Sequence, residues 1–253
     1  MSILRFIKAI KYISFRYLLS RSLVVNKSGV KIPCQVIIKR SRVIIRENTV
    51  ISIDRGVRII NSRINITEGS SFSVRSSTVI DTTISVKGTF ILNNHNIIRE
   101  ARIILEDSKL TVGNNNKLYC TIWGRFNSIA EIGEYNTINQ GSEIRCDERV
   151  IIGSYNMISM NNRIWDTNTH RFFKTGEELK EFMISHYPLF NEDVKPLTKP
   201  IIIGDCNWIG EGCVLKSCSI GNHCILGTRT IAVNKNIPND SSVVNQLDIR
   251  FLS

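Results

Sequence analysis

Apolar residues recur every six positions over much of this chain, and three such positions make one unit. Four units follow at intervals of twenty residues, with the triplets Leu92/Ile98/Ile104, Val112/Leu118/Gly124, Ile132/Ile138/Ile144 and Ile152/Ile158/Ile164. A weaker unit precedes them and two more follow, with the triplets Phe72/Thr78/Ile84, Ile203/Ile209/Leu215 and Ile220/Leu226/Ala232. Only Thr78 and Gly124 are not apolar, which is far denser than the composition would give by chance.

A period of six fits neither an α-helix nor a hairpin. Side chains alternate within short β segments, and a turn every six residues moves the chain to a new face, so three faces complete one coil. The alternative, a β-sandwich, predicts strands every eight to twelve residues and does not predict this phasing. The pattern therefore predicts a parallel β-solenoid in which each coil contacts its neighbours.

Glycine often follows the inward residue, and we expect those corners to need tight turns or a positive φ. The glycines are at positions 113, 133, 153, 204, 210, 221 and 227. Leu215 and Ile220 are only five apart, which predicts one shortened corner. Residues 30–70 alternate Ile and Val with Arg, Lys and Ser, which predicts irregular first coils that cap the solenoid.

The apolar ladder stops after Ile164, and the next inward position is His170. Because an imidazole would be poorly satisfied in an apolar stack, we expect the chain to leave the coil near Asp166 and to return near Lys199. The segment 166–199 then forms an excursion loop with one helical turn. Long loops on rigid scaffolds often carry function.

The chain has 253 residues and a formal net charge of +11, which favours anionic partners such as nucleic acid, anionic lipid, an acidic sugar or a phosphorylated cofactor. No apolar run is long enough for a transmembrane helix. Four cations interrupt the apolar N-terminus and disfavour a signal peptide: Arg5, Lys8, Lys11 and Arg16. We therefore expect a cytoplasmic protein, with contact to a membrane surface left open.

Residues 3–19 fit an amphipathic helix. Its apolar face lies on anionic lipid through residues 1–20 or packs on protein, and the sequence leaves both open. The predicted division is residues 1–29 for this helix and a linker, 30–238 for the β-helix with its loop at 166–199, and 239–253 for a tail.

Seven cysteines are present, and four of them crowd together without a CxxC pair: Cys206, Cys213, Cys218 and Cys224. This spacing disfavours a zinc site and favours thiols as small core residues in a reducing compartment. We therefore expect no metal.

The C-terminal part carries a specific signature. Lys199 opens the segment Lys-Pro-Ile-Ile-Ile-Gly-Asp-Cys-Asn-Trp-Ile-Gly-Glu-Gly-Cys, followed by Ser-Ile-Gly-Asn-His-Cys-Ile-Leu-Gly-Thr and Val-Asn-Lys-Asn-Ile-Pro238. This closely resembles hexapeptide-repeat acyltransferases, a group that includes galactoside, maltose and serine acetyltransferases and the O-acetyltransferases of capsule and lipopolysaccharide biosynthesis. The resemblance is clear from Val112 to Pro238. It implies a left-handed parallel β-helix and a homotrimer with acyl-CoA between neighbouring subunits.

The resemblance also implies site residues. The segment from Ile164 to His170 is similar to the family's Asp-x-x-x-His stretch, in which the histidine deprotonates the acceptor hydroxyl. Imidazole suits a base that works near neutral pH, and Asp166 would orient the ring or stabilise the imidazolium. The alternative is a loop histidine with no role. Trp208 matches an aromatic near the thioester, with surface packing as its alternative.

Six further residues match positions that line the pantetheine and phosphate path of the family, where glycines admit the backbone and cations meet phosphates. These are Lys199, Gly210, Gly227, Thr228, Arg229 and Lys235. His95 and His223 are expected at solvent-facing corners. We see no three histidines that would converge on zinc, as a γ-class carbonic anhydrase of this fold requires.

Together these features predict an acetyl-CoA-dependent O-acetyltransferase that acts on a sugar hydroxyl of a surface polysaccharide or its precursor. N-acetylation of an amino sugar uses the same base and stays open. A non-catalytic solenoid that binds glycan or membrane is the alternative of another class. A nucleotidyltransferase is disfavoured because no N-terminal phosphate-binding glycine loop occurs, and nothing in the motif favours nucleic acid.

Overall fold

The computed structural model describes residues 20–188 and 194–245, and these form a parallel β-solenoid of about 11 turns. Every strand pair is parallel, so the predicted fold class is confirmed. The predicted N-terminal helix over 3–19 lies outside the described residues. The strands extend from Leu23 to Val243, so within the described residues the solenoid begins before and ends after the predicted range of 30–238.

Each coil has three faces, and equivalent strands stack along the solenoid axis. We define the first face by β1 (Leu23–Asn26), β3 (Arg42–Ile45), β6 (Arg63–Ile66), the first halves of β9 (Thr83–Leu92) and β11 (Arg102–Val112), β13 (Thr121–Gly124), β16 (Glu143–Cys146), β19 (Arg163–Trp165), β22 (Val214–Lys216) and β25 (Ile231–Val233).

The second face follows the first without a break in the long strands β9 and β11, so both faces belong to one 17-stranded sheet. Its members are β4 (Val50–Ile53), β7 (Ser71–Val74), the second halves of β9 and β11, β14 (Ile129–Ile132), β17 (Arg149–Ile152), β20 (Ile201–Ile203), β23 (Ser219–Ile220) and β26 (Asn236–Ile237).

The third face is a separate 10-stranded sheet. Its members are β2 (Ile37–Lys39), β5 (Arg58–Ile60), β8 (Thr78–Ile80), β10 (Ile97–Arg99), β12 (Lys117–Leu118), β15 (Thr137–Ile138), β18 (Met157–Ile158), β21 (Trp208–Ile209), β24 (Ile225–Leu226) and β27 (Ser242–Val243).

One core of stacked aliphatic side chains fills the coil, because successive residues of each strand point alternately inward and outward. The predicted inward positions are buried except for two. At Thr78 and Ile104 the register is shifted by one residue, since Val79 and Ile103 point inward there. Leu215 and Ile220 are both buried, so the shortened corner between them keeps the ladder in phase, as predicted.

The first coils are regular, which corrects the prediction of irregular capping coils over residues 30–70. Strands β2 to β7 pair in register with the following coils. The polar alternation in this segment reflects exposed strand positions and not a break in the repeat.

The corners turn and contain a positive φ, as predicted, but the positive φ falls two residues after the glycine, for example at Asn115, Tyr135 and Tyr155. Glycine is required instead because coils stack closely there: a Cβ on Gly113 would lie 2.5 Å from the carbonyl oxygen of Gly133.

Buried asparagines satisfy the polar groups of these same corners. In each, the side-chain oxygen accepts the backbone N–H of its equivalent one coil on, as from Asn116 to Asn96 at 2.8 Å. The side-chain amides of Asn96, Asn116, Asn136 and Asn156 also donate to a glycine carbonyl of that coil, as from Asn96 to Gly113 at 2.8 Å. The glycine and the asparagine three residues later therefore act together, because one admits the next coil and the other binds it. The ladder comprises Asn96, Asn116, Asn136, Asn156 and Asn207.

The chain leaves the coil after β19 and re-enters at β20, as predicted. The excursion contains more helix than expected, since α1 (Gly176–His186) has 11 residues and not one turn. Thr175 caps it by accepting the N–H of Glu178, and Glu177 and Glu178 place negative charge in its first turn, where the helix dipole is favourable. Within the described ranges no helix has the length and hydropathy of a membrane span.

Candidate functional site

The base of the excursion loop is fixed to the solenoid by backbone contacts. The two ends of the loop pair through an antiparallel bridge between Thr167 and Thr198. The N–H of Asn168 donates to the carbonyl of Leu197 at 3.0 Å. A loop closed in this way positions the residues just beyond the bridge, and His170 is three residues from it.

Asp166 is fully buried at the foot of the loop, and its carboxylate binds the preceding coil. Its two oxygens accept the backbone N–H groups of Asp147 at 2.8 Å, Glu148 at 2.8 Å and Arg149 at 2.7 Å. Burial raises the pKa of this carboxyl above its ordinary value, and the three N–H donors partly oppose that rise. The family resemblance implied that Asp166 would orient the His170 ring or stabilise its imidazolium. The hydrogen bonds of its carboxylate hold the base of the loop.

A buried ion pair lies at the same corner and joins the coil of Asp147 to the coil before it. Arg125 donates from Nε and one terminal nitrogen to the carboxylate of Asp147, at 2.9 and 2.7 Å. Both side chains are almost fully buried, and such bidentate geometry is the strong form of this contact. Nothing in the repeat pattern marked these residues, because both lie at a corner and not at an inward position.

His170 is exposed on the loop, outside the apolar stack, as the break in the ladder predicted. Thr169 before it has a positive φ of 67°. The N–H of Thr169 donates to the hydroxyl of Thr167 at 3.0 Å, which fixes the backbone next to the histidine. The structure thus provides an accessible imidazole on an anchored segment.

The rest of the loop packs around α1. Phe182 is buried and packs at a tilt against Phe173, at 5.2 Å between ring centroids, and against His186, at 4.1 Å, while the guanidinium of Arg171 lies 4.5 Å from its ring centroid. A cleft of about 440 Å³ opens here, with Glu178, Glu181 and Ser185 among its polar residues. His186 is held by Ser185 and by the carbonyl of Phe182, so its ring supports the helix end.

An outward column on the first face also passes the point where this loop leaves the coil. Trp123, Arg145 and Trp165 occupy the same register in consecutive coils. The guanidinium of Arg145 lies between the indoles, 4.7 Å from the Trp123 centroid and 5.7 Å from that of Trp165, and pairs with Glu143. The signal that the sequence analysis missed is the shared strand position of these three residues.

Trp208 lies on the third face, with about half of its side chain exposed. In its column, Met157 precedes it and Ile225 follows it in register, and both are exposed. Trp208 therefore points outward from the coil. The three residues form an uncovered apolar strip of this chain.

The corner between the third and first faces holds four of the predicted acyl-CoA residues: Gly210, Gly227, Thr228 and Arg229. Gly210 stacks on the next coil so closely that a Cβ would lie 2.7 Å from the nitrogen of Thr228. Coil stacking therefore explains this glycine without a ligand. Thr228 and Arg229 are exposed at the turn.

The remaining predicted residues lie at the other end of the first face. Lys199 closes the loop through its N–H, which donates to the carbonyl of Asp166 at 2.8 Å, and Lys235 lies at the equivalent corner two coils later. Both are exposed, and neither they nor Arg229 form an ion pair within the described residues.

The predicted residues thus form two groups on opposite edges of the first face. One edge carries Trp208, Gly210, Gly227, Thr228 and Arg229, and the other carries Asp166, Lys199, Lys235 and the loop of His170. Within a single chain, the corner that holds the candidate acyl-CoA turn and the corner where the loop of His170 begins are separated by the length of a first-face strand.

Of the crowded cysteines, Cys213, Cys218 and Cys224 are buried in the coil and Cys206 is exposed at a corner. The described part of the chain contains no group of three or more His, Cys, Asp or Glu side chains able to hold a metal ion. His95 and His223 are exposed corner residues with positive φ, as expected.

Comparison with known proteins finds no matching protein-family model and no matching curated protein. Among solved structures, the chain is similar to the polySia-specific acetyltransferase NeuO, with 16% identity, a TM-score of 0.43, and 83% of this chain and 78% of that chain covered. It is also similar to the polysialic acid O-acetyltransferase OatWY, with 14% identity, a TM-score of 0.40, and coverage of 85% and 80%. At these values the likeness does not assign an activity to this chain.

Proposed function

We propose that this protein is an acetyl-CoA-dependent O-acetyltransferase that acts on a sugar hydroxyl of a surface polysaccharide or its precursor. The observation that carries the proposal is the loop: the parallel coil is interrupted once within the described residues, and the interruption presents His170 in solvent on an anchored base. The resemblance of the flanking repeats to hexapeptide-repeat acyltransferases supplies the reaction.

In this proposal His170 is the general base. Its imidazole accepts the proton of the acceptor hydroxyl while that oxygen bonds to the thioester carbonyl carbon, and it returns the proton to the departing thiolate. The indole N–H of Trp208 donates to the developing oxyanion. Asp166 holds the loop base through the N–H groups of Asp147, Glu148 and Arg149, and thereby fixes the position from which His170 acts.

A cyclic trimer would complete the site, because the two groups of residues lie on opposite edges of one face. In a cyclic arrangement one edge of a subunit meets the other edge of its neighbour, so the loop of His170 would meet Trp208 and Arg229 of the next subunit. The exposed strip of Met157, Trp208 and Ile225 suits burial in such a contact. Lys199, Lys235 and Arg229 would then hold the phosphates of acyl-CoA.

An acceptor screen tests the function. Purified protein is mixed with acetyl-CoA and a panel of acidic and neutral glycans and amino sugars, and mass spectrometry detects the addition of one acetyl group. Product with an ester that mild alkali removes supports O-acetylation. An alkali-stable amide would show N-acetylation, the closest rival, and binding of glycan without any transfer would favour a non-catalytic solenoid.

A further inference from the structure

The positive charge of this chain is concentrated in its first 110 residues. They hold 19 of the 33 lysines and arginines and 7 of the 22 acidic residues, for a net charge of +12, whereas residues 111–253 have a net charge of −1. The predicted acyltransferase residues all lie in the second, nearly neutral part. Four of these cations precede residue 20, so the coils within residues 20–110 have 15 cations, 7 acidic residues and a net charge of +8, which needs a separate explanation.

Part of this charge forms a column on the first face. Arg42 and Arg63 occupy the same register in adjacent coils, Thr83 follows, and Arg102 is next. Strands of neighbouring coils lie roughly 4.8 Å apart, so the three arginines span roughly 14 Å along the solenoid axis. All three are exposed, and none forms an ion pair within residues 20–188 and 194–245.

A shallow groove of about 360 Å³ runs beside these arginines. Its lining includes Arg42 and Arg63 together with the outward residues Ile44, Asn65, Thr83 and Ser85. These outward residues are short or apolar and make no ion pair, so the groove leaves the two guanidinium groups as its only charges.

The same face leads to the candidate base. The column of Ile44, Asn65 and Ser85 continues in register through Ile104, and then through Trp123, Arg145 and Trp165. The loop of His170 leaves the coil one residue after Trp165. From Arg42 to Arg163 the first face covers six coil steps, or roughly 30 Å.

We propose that the first face of the N-terminal coils binds a linear polyanion, an acidic polysaccharide chain, and leads it along the solenoid axis towards His170. This inference rests on the proposed function for the direction of the chain, while the binding itself does not require acetyl transfer. Guanidinium groups that share one register along the solenoid axis can pair with successive carboxylates of such a polymer.

An acidic glycan fits these observations better than a membrane does. The outward strand positions of the second face hold no lysine or arginine before Lys109, so the cations of the strands lie on the other two faces. A narrow groove with a row of cations suits a single chain. In a cyclic trimer this column would stay at the surface, because burying unpaired arginines against their symmetry copies is costly.

Binding to a polymer of one carboxylate per sugar provides the test. Fluorescently labelled polygalacturonate is titrated with the full-length protein in the absence of acetyl-CoA, with dextran as the neutral polymer and galacturonic acid as the monomer. We compare Arg42→Gln/Arg63→Gln/Arg102→Gln with a control triple variant of equal charge, Arg55→Gln/Arg58→Gln/Arg75→Gln, whose arginines are also exposed but lie off the first face.

The expected result is tighter binding of the polymer than of the monomer or dextran. The first-face triple should weaken that binding about tenfold or more and flatten its salt dependence, while the control changes it by about threefold or less. Equal losses in both triples, or no preference for polygalacturonate over dextran, would overturn the proposal. The proposal would also be overturned if the protein bound phosphatidylserine vesicles or duplex DNA more tightly than polygalacturonate at the same salt concentration, and if the first-face triple lost that binding.

The outcome is separable from the proposed function. His170→Ala should bind polygalacturonate as the wild type does, since the base is not part of the groove. If His170→Ala transfers acetyl groups normally while the first-face triple loses binding, the function fails and the polyanion track stands.

Discussion

The backbone N–H of Asp147 donates to the carboxylate of Asp166 at 2.8 Å, while the carboxylate of Asp147 itself accepts two hydrogen bonds from Arg125. Three consecutive coils are therefore joined at the corner from which the excursion loop departs. The rigidity of that corner determines how precisely His170 is placed.

Arg125→Met should lower the free energy of unfolding by about 3–5 kcal/mol, because it leaves the carboxylate of Asp147 buried without its partner. The control is Lys87→Met, which breaks the exposed pair of Lys87 with Asp107 and should cost about 1 kcal/mol or less. Urea titration of both variants measures the difference. Equal costs would show that burial of the Arg125 pair does not matter.

Asp166→Ala should remove the acceptor of three backbone N–H groups and destabilise the protein by roughly 2–5 kcal/mol. It should also loosen the loop, so acetyl transfer should fall beyond what the fraction unfolded explains. Hydrogen exchange of the amides of Asp147, Glu148 and Arg149 reports the loss directly. Unchanged protection of these amides would contradict the role given to Asp166.

The raised pKa of Asp166 gives a pH dependence with a definite sign. The folded protein holds this proton more tightly than the unfolded chain, so the stability that it contributes is complete at low pH. That contribution is lost as the pH rises from the ordinary carboxyl pKa through the raised one. The free energy of unfolding of the wild type minus that of Asp166→Asn should therefore fall with pH and then level off. A difference that rises with pH would mean that the three N–H donors dominate.

Gly113→Ala should destabilise the solenoid by roughly 1–3 kcal/mol, because the new Cβ would meet the backbone of Gly133 one coil on. Gly176→Ala is the matched control: it is the first residue of α1, a Cβ there meets nothing within 4 Å, and alanine favours a helix. Thermal unfolding should separate the two in opposite directions. A stable Gly113→Ala protein would show that the coils stack less closely than the structure indicates.

Thiol chemistry checks the burial of the core. Burial raises the pKa of Cys120 and of Cys146 to about 12 and that of Cys218 to about 11, so these thiols should resist Ellman's reagent at pH 8. Only Cys34 and Cys206 are exposed, so two thiols should react rapidly in the native protein and seven in denaturant. Rapid reaction of a third thiol would contradict the packing.

The sequence predicted the solenoid and its excursion well, because an inward position must be apolar and a six-residue period leaves one register. Its errors have local causes. At Ile104 three consecutive apolar residues hid the true inward positions, Ile103 and Leu105. At the corner glycines a contact between coils, and not a dihedral angle, determines the residue, and no single-sequence pattern contains that contact. The Arg125–Asp147 pair and the stack of Trp123, Arg145 and Trp165 join residues about twenty positions apart, so they became visible only once the coils were aligned.

The central claim is that His170 is the base of an acetyl transfer, and the initial rate of free thiol release from acetyl-CoA in the presence of an acceptor tests it most directly. His170→Ala should slow this rate about a hundredfold to ten-thousandfold while leaving the unfolding midpoint unchanged. The matched control is His95→Asn, which changes another exposed histidine to a residue that tolerates its positive φ, and it should keep the wild-type rate. Equal rates for wild type and His170→Ala would contradict the assignment.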